Sequence, residues 1–482
     1  MNIFHVSSEV FPYSKTGGLA DMTAALAKSQ AGAGHEVTLV TPLYRGIRDQ
    51  FEGIKPSDTQ LSVPLGQAKK TATVWTHNPA ENLTILFVDQ PELFDRANVY
   101  GEEDDAERFI FFSKAAARLA KRAEIVHAHD WQSALTMPRL SLGQAQIGRV
   151  FTIHNAAYQG RFARDNFELT GLPDSFFNWQ QLEFYDDINL LKGGVVFADL
   201  ATTVSPRYAE ELLTPEYGCG LEGVFQAKGS ALTGVLNGVD YSEWNTNNNP
   251  HLVAPFSADA PEGKAANKTA LQRELGLDEQ PGLPLLGNIS RFAEQKGIDV
   301  LLDALEQQLA GGVAFQYTGL GSGDARLEQA MSDLAKRHPG LIAIRVGYDT
   351  ALAHRIEAGC DFFIMPSRFE PCGLNQLYSL RYGAIPIVRE TGGLKDSIID
   401  LSQGDDTATG IKFEQPNAEA LGQALGQAFK LYSDPSRLAK VRDNGMRADF
   451  SWFRTTTEYD RLYNTIGPLK KPAVFEAGFS VK

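Results

Sequence analysis

The chain has 482 residues, 43% hydrophobic and 22% charged, which is more than one hydrophobic core usually serves and too apolar for a disordered chain, so two globular domains of about 200 residues are expected. A formal net charge of −14 argues against non-specific binding to nucleic acid or an acidic membrane surface, and any anionic ligand must be held by local cations. The three cysteines, Cys219, Cys360 and Cys372, are an odd number without CxxC spacing, which speaks against a disulfide framework or a cysteine zinc site.

The opening MNIFHVSSEV lacks the basic start, long apolar run and small-residue cleavage site of a secretory signal, and no run of about 18 apolar residues suggests a membrane span. The expected compartment is the cytoplasm. Short apolar strands alternate with helical patterns from the start: IFHV at 3–6, a helix from about Leu19, then EVTLV at 36–40. In that helix Leu19, Met22 and Leu26 share a face, and the stretch Gly32 to Gly34 ends it. Further strands are predicted at 83–88, 125–129, 149–154 and 200–205, an alternation that implies a mainly parallel sheet with helices on both faces. The polar, Pro-rich segment 244–263 reads as a linker. The pattern then restarts, with strands at 285–290, 313–319, 341–347, 361–367 and 384–389, giving a second doubly wound α/β lobe. After Trp452 and Phe453, the residues Tyr459, Leu462, Tyr463 and Ile466 repeat at helical spacing. Thr16-Gly17-Gly18-Leu19-Ala20-Asp21 is echoed by Thr391-Gly392-Gly393-Leu394-Lys395-Asp396, which suggests related turns in the two lobes.

Lys15, Thr16, Gly17 and Gly18 sit where the first strand hands over to the first helix. Glycines admit close backbone approach, a helix N-terminus offers N–H groups to anions, and Lys15 adds charge, so a diphosphate cradle is one reading and a tight turn with an exposed lysine the other. The segment matches neither a Walker loop nor GxGxxG. Arg291 and Lys296 follow a strand of the second lobe, at the edge where open α/β sheets bind ligands. Glu370 precedes Pro371, Cys372 and Gly373, with a helix beginning near Gly373. Here the acid is either a ligand contact or a dipole-favoured helix-start residue, and Cys372 reads as packing. His127, His129, Asp130, His154 and Asn155 gather polar groups at one sheet edge, with Trp131, Tyr158 and Tyr13 as aromatic platforms or core. No second ligand cluster completes a metal site. Asn237 and Asp240 of LNGVD line a cleft or form a simple turn, and Tyr348 stacks on a base or lies on the surface.

Six segments taken in order, KTGGLAD at 15–21, HAHDW at 127–131, TIHNAAYQG at 152–160, LNGVD at 236–240, SRFAEQKG at 290–297 and SRFEPCGLNQLY at 367–378, resemble bacterial glycogen synthases and plant starch synthases across nearly the whole chain. The resemblance implies a glycosyltransferase-B fold, two Rossmann-like lobes with a cleft between them. The domains would be 1–243 on the acceptor side, a hinge at 244–263, 264–454 on the nucleotide-sugar side, and a helix and tail at 455–482 crossing back to the first lobe. It further implies ADP-glucose as donor, glycogen or another α-1,4-glucan as acceptor, and no cofactor or metal. By the same resemblance Lys15, Gly17 and Gly18 look like donor contacts, Arg291 and Lys296 like the leaving-group clamp, and the backbone of Cys372, Gly373 and Leu374 like phosphate donors. Glu370 and His154 look like ligands of the transferred glucose, Asp21, Asp130 and Asn155 like neighbours of glucose and acceptor, Asn237 like a sugar-side contact and Tyr348 like an adenine neighbour. The family commonly carries proline at the position of Ala27 and leucine at that of Ala156. A UDP-sugar transferase or epimerase, or a silent glucan-binding protein, are the alternative readings, and nothing announces the pyridoxal-phosphate lysine of a phosphorylase.

Overall fold

The computed structural model describes residues 1–143 and 146–466, so the part of the expected tail at 467–482 lies outside the described residues. The chain folds into two compact units. The first takes Met1–Val204, Ala209–Val235 and the terminal helix Trp452–Ile466, and the second takes Ser205–Tyr208 and Leu236–Ser451.

The first unit is built on a nine-stranded sheet. Seven strands run parallel in the order Leu232–Gly234, Leu200–Thr203, Gly148–Ile153, Ile125–His129, Asn2–Val6, Glu36–Pro42 and Leu83–Asp89. The hairpin Lys55–Leu65 and Ala68–Ala80 then extends one edge antiparallel. Central strands buried on both faces read as continuous apolar runs, which is why they were visible in the sequence. The first helix, Gly18–Gly32, buries Leu19, Met22, Leu26 and Ala27 on the face that the spacing predicts. Alanine at position 27 leaves that helix a full complement of backbone donors. The terminal helix packs Trp452, Tyr459 and Tyr463 into the same cluster as Ile3, Met22, Leu26, Ile125 and Val150, so the aromatic face recognised after Trp452 completes the core of the first unit. A small antiparallel sheet of Arg161–Ala163, Asp187–Asn189 and Glu183–Phe184 is inserted before Leu190.

The second unit has a six-stranded, wholly parallel sheet in the order Ile342–Val346, Gln316–Gly321, Leu285–Ile289, Phe362–Met365, Ile385–Arg389 and Ile411–Phe413. Separate apolar clusters cover its two faces. Each unit is thus a Rossmann-like α/β lobe, as expected. The segment 244–263 packs within the second unit, because its side chains tie it down. Trp244 stacks on Tyr378 at 3.7 Å and on His354 at 4.2 Å, Asn249 Nδ2 donates to the Tyr382 hydroxyl at 2.9 Å, and Thr246 Oγ1 donates to the Phe256 carbonyl. The main chain passes from one unit to the other at 204/205, 208/209, 235/236 and 451/452.

Candidate active-site residues in each unit

In the first unit the loop before the first helix rests on Glu9. That buried carboxylate accepts from the Thr16 amide, the Thr16 hydroxyl at 2.7 Å, the Gly17 amide at 3.3 Å and the Tyr100 hydroxyl at 2.6 Å. Two N–H groups that the sequence offers to an anion, those of Thr16 and Gly17, are therefore already used by Glu9. Lys15 Nζ lies 2.8 Å from Asp21, whose carboxyl is pushed upward by burial and pulled back by Lys15. Glu9 escaped the sequence reading because an acid in an SSE run announces neither its burial nor a partner as distant as Tyr100.

Asp130, His154 and Asn155 come together at the ends of neighbouring strands. Asp130 has φ +56, a left-handed backbone that aspartate tolerates better than most residues, and its Oδ1 accepts from the His154 amide at 2.8 Å. Burial pushes its carboxyl up to about 7, against the pull of the His154 and Asn155 amides. Asn155 caps its own turn, Oδ1 accepting from the Ala157 amide at 3.0 Å, and Ala156 beside it is fully buried. Of the three candidate platforms, Tyr13 is core: it is buried, packs edge-on to Phe51 and Phe87, and is hydrogen-bonded to His77 at 2.6 Å. Trp131 is wedged against Phe109 and Phe162, whereas Tyr158 is 57% exposed.

His5, His127 and His129 form a buried group whose ligand atoms lie within 4.8 Å of one another. Each of their ring nitrogens already has a partner in the chain. His5 meets His129 and Gln30, His127 meets Tyr463 and Thr152, and His129 meets His154. The donor set is spent on hydrogen bonds, so these residues fit an internal network better than a metal.

In the second unit Lys296 Nζ lies 2.6 Å from Glu370 Oε2, which also accepts from the Ser367 hydroxyl at 2.9 Å. Arg291 Nη2 donates to Gln295 at 2.9 Å, and Gln295 Nε2 in turn donates to the Phe369 carbonyl at 3.3 Å. The two loops bearing the cations and the acid are thereby joined. Close approach is built in through glycine: Gly297 has φ +68, and a Cβ there would overlap the Pro366 carbonyl oxygen. Gly392, at φ +44, would likewise overlap the Glu370 carbonyl, so the echo at 391–396 serves to seat the 370–373 turn.

Cys372 is buried beside that turn, its thiol pushed up to about 12 by burial while the Asn237 amide donates to it. This is the packing role read from the sequence. Gly373 has φ +72, Leu374 is the N-cap and the helix starts at Asn375, so first-turn amides without intrahelical acceptors follow directly. Asn237 is 6% exposed and, among the described residues, its Oδ1 has no hydrogen-bond partner. A buried amide oxygen left unpaired is costly and fits a ligand contact. Tyr348 is 82% exposed after its strand.

Comparison with known proteins gives the family and the fold. The family described as "Starch synthase catalytic domain" matches residues 2–227, and "Glycosyl transferases group 1" matches 268–445. A glycogen synthase of Thioalkalivibrio sulfidiphilus is 43% identical over 97% of this chain and 100% of its own length. One from Anaeromyxobacter dehalogenans is 44% identical over the same shares. The catalytic domain of starch synthase IV from Arabidopsis thaliana, solved with ADP and acarbose, is 33% identical with a TM-score of 0.88, covering 96% of this chain and 99% of that one. A sucrose-phosphate synthase from Thermosynechococcus elongatus shares the fold at 16% identity and a TM-score of 0.61, covering 96% of this chain and 98% of its own.

Proposed function

From the premise that the chain belongs to the family of bacterial glycogen synthases and plant starch synthases, we propose how its residues divide the work. The enzyme transfers glucose from ADP-glucose to the non-reducing end of an α-1,4-glucan with retention of configuration. The observation that carries the assignment of residues is the tethered pair of Lys296 and Glu370 beside the glycine-seated turn at 370–373.

Breaking the glucosyl–phosphate bond leaves positive charge on the sugar and negative charge on the departing diphosphate, so fixed cations at that phosphate lower the barrier. Arg291 and Lys296 fill this role. Gln295 braces the first and Glu370 holds the second. The backbone amides of Gly373 and Leu374, just ahead of the helix that starts at Asn375, add hydrogen bonds to phosphate, with the Cys372 side chain as packing beside them. Lys15 and the Gly17–Gly18 turn contribute a further donor contact. Glu370, His154 and Asn237 bind hydroxyls of the transferred glucose, while Asp21, Asp130 and Asn155 stand nearer glucose and acceptor. Tyr348, with its exposed ring, is the adenine neighbour. The departing phosphate oxygen takes the acceptor hydroxyl's proton on the face from which it leaves, so no enzyme carboxylate has to become covalently glucosylated.

The test is glucose incorporation into glycogen with chelator present, comparing ADP-glucose with UDP-glucose and following nucleoside diphosphate release. Lys296→Ala and Glu370→Ala variants that remain folded are expected to lose about 10²–10³-fold in kcat, the scale of removing one electrostatic donor. Preference for UDP-glucose would revise the donor. A covalent glucosyl adduct on Glu370 or Asp130 would replace the front-face step.

A further inference from the structure

Four side chains of the first unit form an unbroken line to the proposed sugar site. Gln30 Oε1 lies 2.7 Å from His5 Nε2, His5 Nδ1 lies 3.0 Å from His129 Nε2, and His129 Nδ1 lies 3.2 Å from His154 Nε2. The line follows from the sheet. His5 pairs with His127 across neighbouring parallel strands, and His127 and His129 are two residues apart on one strand, so all three rings emerge on one face. That face is covered by the first helix, which supplies Gln30, and by the terminal helix, which supplies Tyr463. Gln30, His5 and His129 are fully buried, and burial lowers the basicity of every ring, to about 4 for His5 and about 3 for His154. Each imidazole therefore carries one proton at neutral pH.

A neutral imidazole donates from one nitrogen and accepts at the other, so the direction of one bond dictates all the rest. With the Gln30 oxygen as acceptor, His5 must donate from Nε2 and accept at Nδ1. His129 must then donate from Nε2 and accept at Nδ1, and His154 must donate from Nε2. The amide nitrogen of Gln30 sets a second branch with the same logic. It donates to the Tyr463 hydroxyl at 3.2 Å, which donates to His127 Nδ1 at 2.7 Å, and His127 Nε2 donates to Thr152 at 2.5 Å. Turning the Gln30 amide over would reverse every proton in both branches.

We propose that Gln30, acting through His5 and His129, is the positioning residue that holds His154 as its Nε2–H tautomer, leaving Nδ1 as a hydrogen-bond acceptor for a hydroxyl of the bound sugar. The proposal rests on the assignment of His154 to the sugar site made above. His154 receives a hydroxyl proton donor without carrying charge, and the order is imposed from the helix that covers the histidine face of the sheet, by a buried residue that touches no substrate.

The experiment uses the full-length enzyme labelled with ¹⁵N in histidine. The ring-nitrogen shifts of His154, assigned by comparison with His154→Ala, report the tautomer without any turnover. In the wild type His154 should be Nε2–H. Gln30→Leu removes both arms, and a second tautomer should appear together with a fall of about tenfold in kcat/KM for the donor, the worth of one well-placed hydrogen bond. Gln30→Glu can still accept from His5, so it should restore the single tautomer and bring kcat/KM to within about twofold of wild type. His154 as Nδ1–H in the wild type, or an unchanged tautomer in Gln30→Leu, would overturn the proposal. Full activity in His154→Ala would instead overturn the placing of His154 at the sugar, while leaving the tautomer result standing.

Discussion

Asp130 combines a left-handed backbone, a short bond from the His154 amide and a carboxyl pushed up to about 7 by burial. The sign of its effect on stability follows. Between about pH 4 and pH 7 the folded state keeps a proton that the unfolded chain has released, so this residue's contribution is present at low pH and is lost as pH rises through that window. Asp130→Asn keeps the acceptor oxygen and suits a positive φ, but it cannot ionise. Relative to that variant, wild-type stability is expected to fall by about 1–2 kcal/mol from pH 5 to pH 8, a discounted share of the full shift because the side chain is only half-buried. Urea melts of the two proteins across that range check it, and parallel curves would refute it. The buried histidines have lowered pKa values and act in the opposite direction, with stability lost on acidification below about pH 6.5, but they are common to both proteins and cancel in the difference. At this scale the sequence singled out Lys296, Glu370, His154 and Asp130 as candidates, because each stands after a strand. It concealed Glu9, Gln30 and His5, whose meaning depends on partners that only the sheet register and a packed helix bring near.

Among the elements, parallel strands were legible because burial on both faces writes a continuous apolar run, as in LLGNI and FFIM. The hairpin at 55–80 was not. Lys55–Leu65 opens with mostly exposed polar residues and shows alternation only at Leu61, Val63 and Leu65. The hydrogen-bonded segment at 244–263 was read as linker for a related reason, since composition does not disclose that Asn249 and Trp244 find partners. The repeated TGGL motif was visible, but its role was not. Gly392 is needed at 391–393 because the Glu370 carbonyl passes where a Cβ would stand. Gly404 has φ +98 and open space around it, so it isolates the cost of backbone conformation alone. Gly404→Ala should cost about 1 kcal/mol with normal kcat. Gly392→Ala should add displacement of the 370–373 turn and lower kcat by at least about tenfold, since small misplacement of catalytic groups is expensive. Equal kinetics for the two variants would show that the turn does not depend on the close approach.

For the whole molecule, the consequential feature is that the two units have separate cores while the chain weaves between them, the terminal helix closing the core of the first unit. Heat should therefore unfold the protein in two calorimetric transitions. Trp452→Ala identifies the first unit, because this residue lies in that core and its loss should lower one transition by several degrees, about 3–5 kcal/mol being the usual cost of such a cavity. ADP should act mainly on the other transition, since Arg291, Lys296 and the 372–374 amides all belong to the second unit. At one hundred times its dissociation constant, a ligand adds about 2.7 kcal/mol, or several degrees for a domain of this size. With a net charge of −14 on the chain, that affinity rests on a few local cations, so the shift should collapse in Arg291→Ala and Lys296→Ala while Trp452→Ala leaves it intact. An ADP-induced shift confined to the transition that Trp452→Ala lowers would move the nucleotide to the first unit and overturn the assignment of the leaving-group clamp.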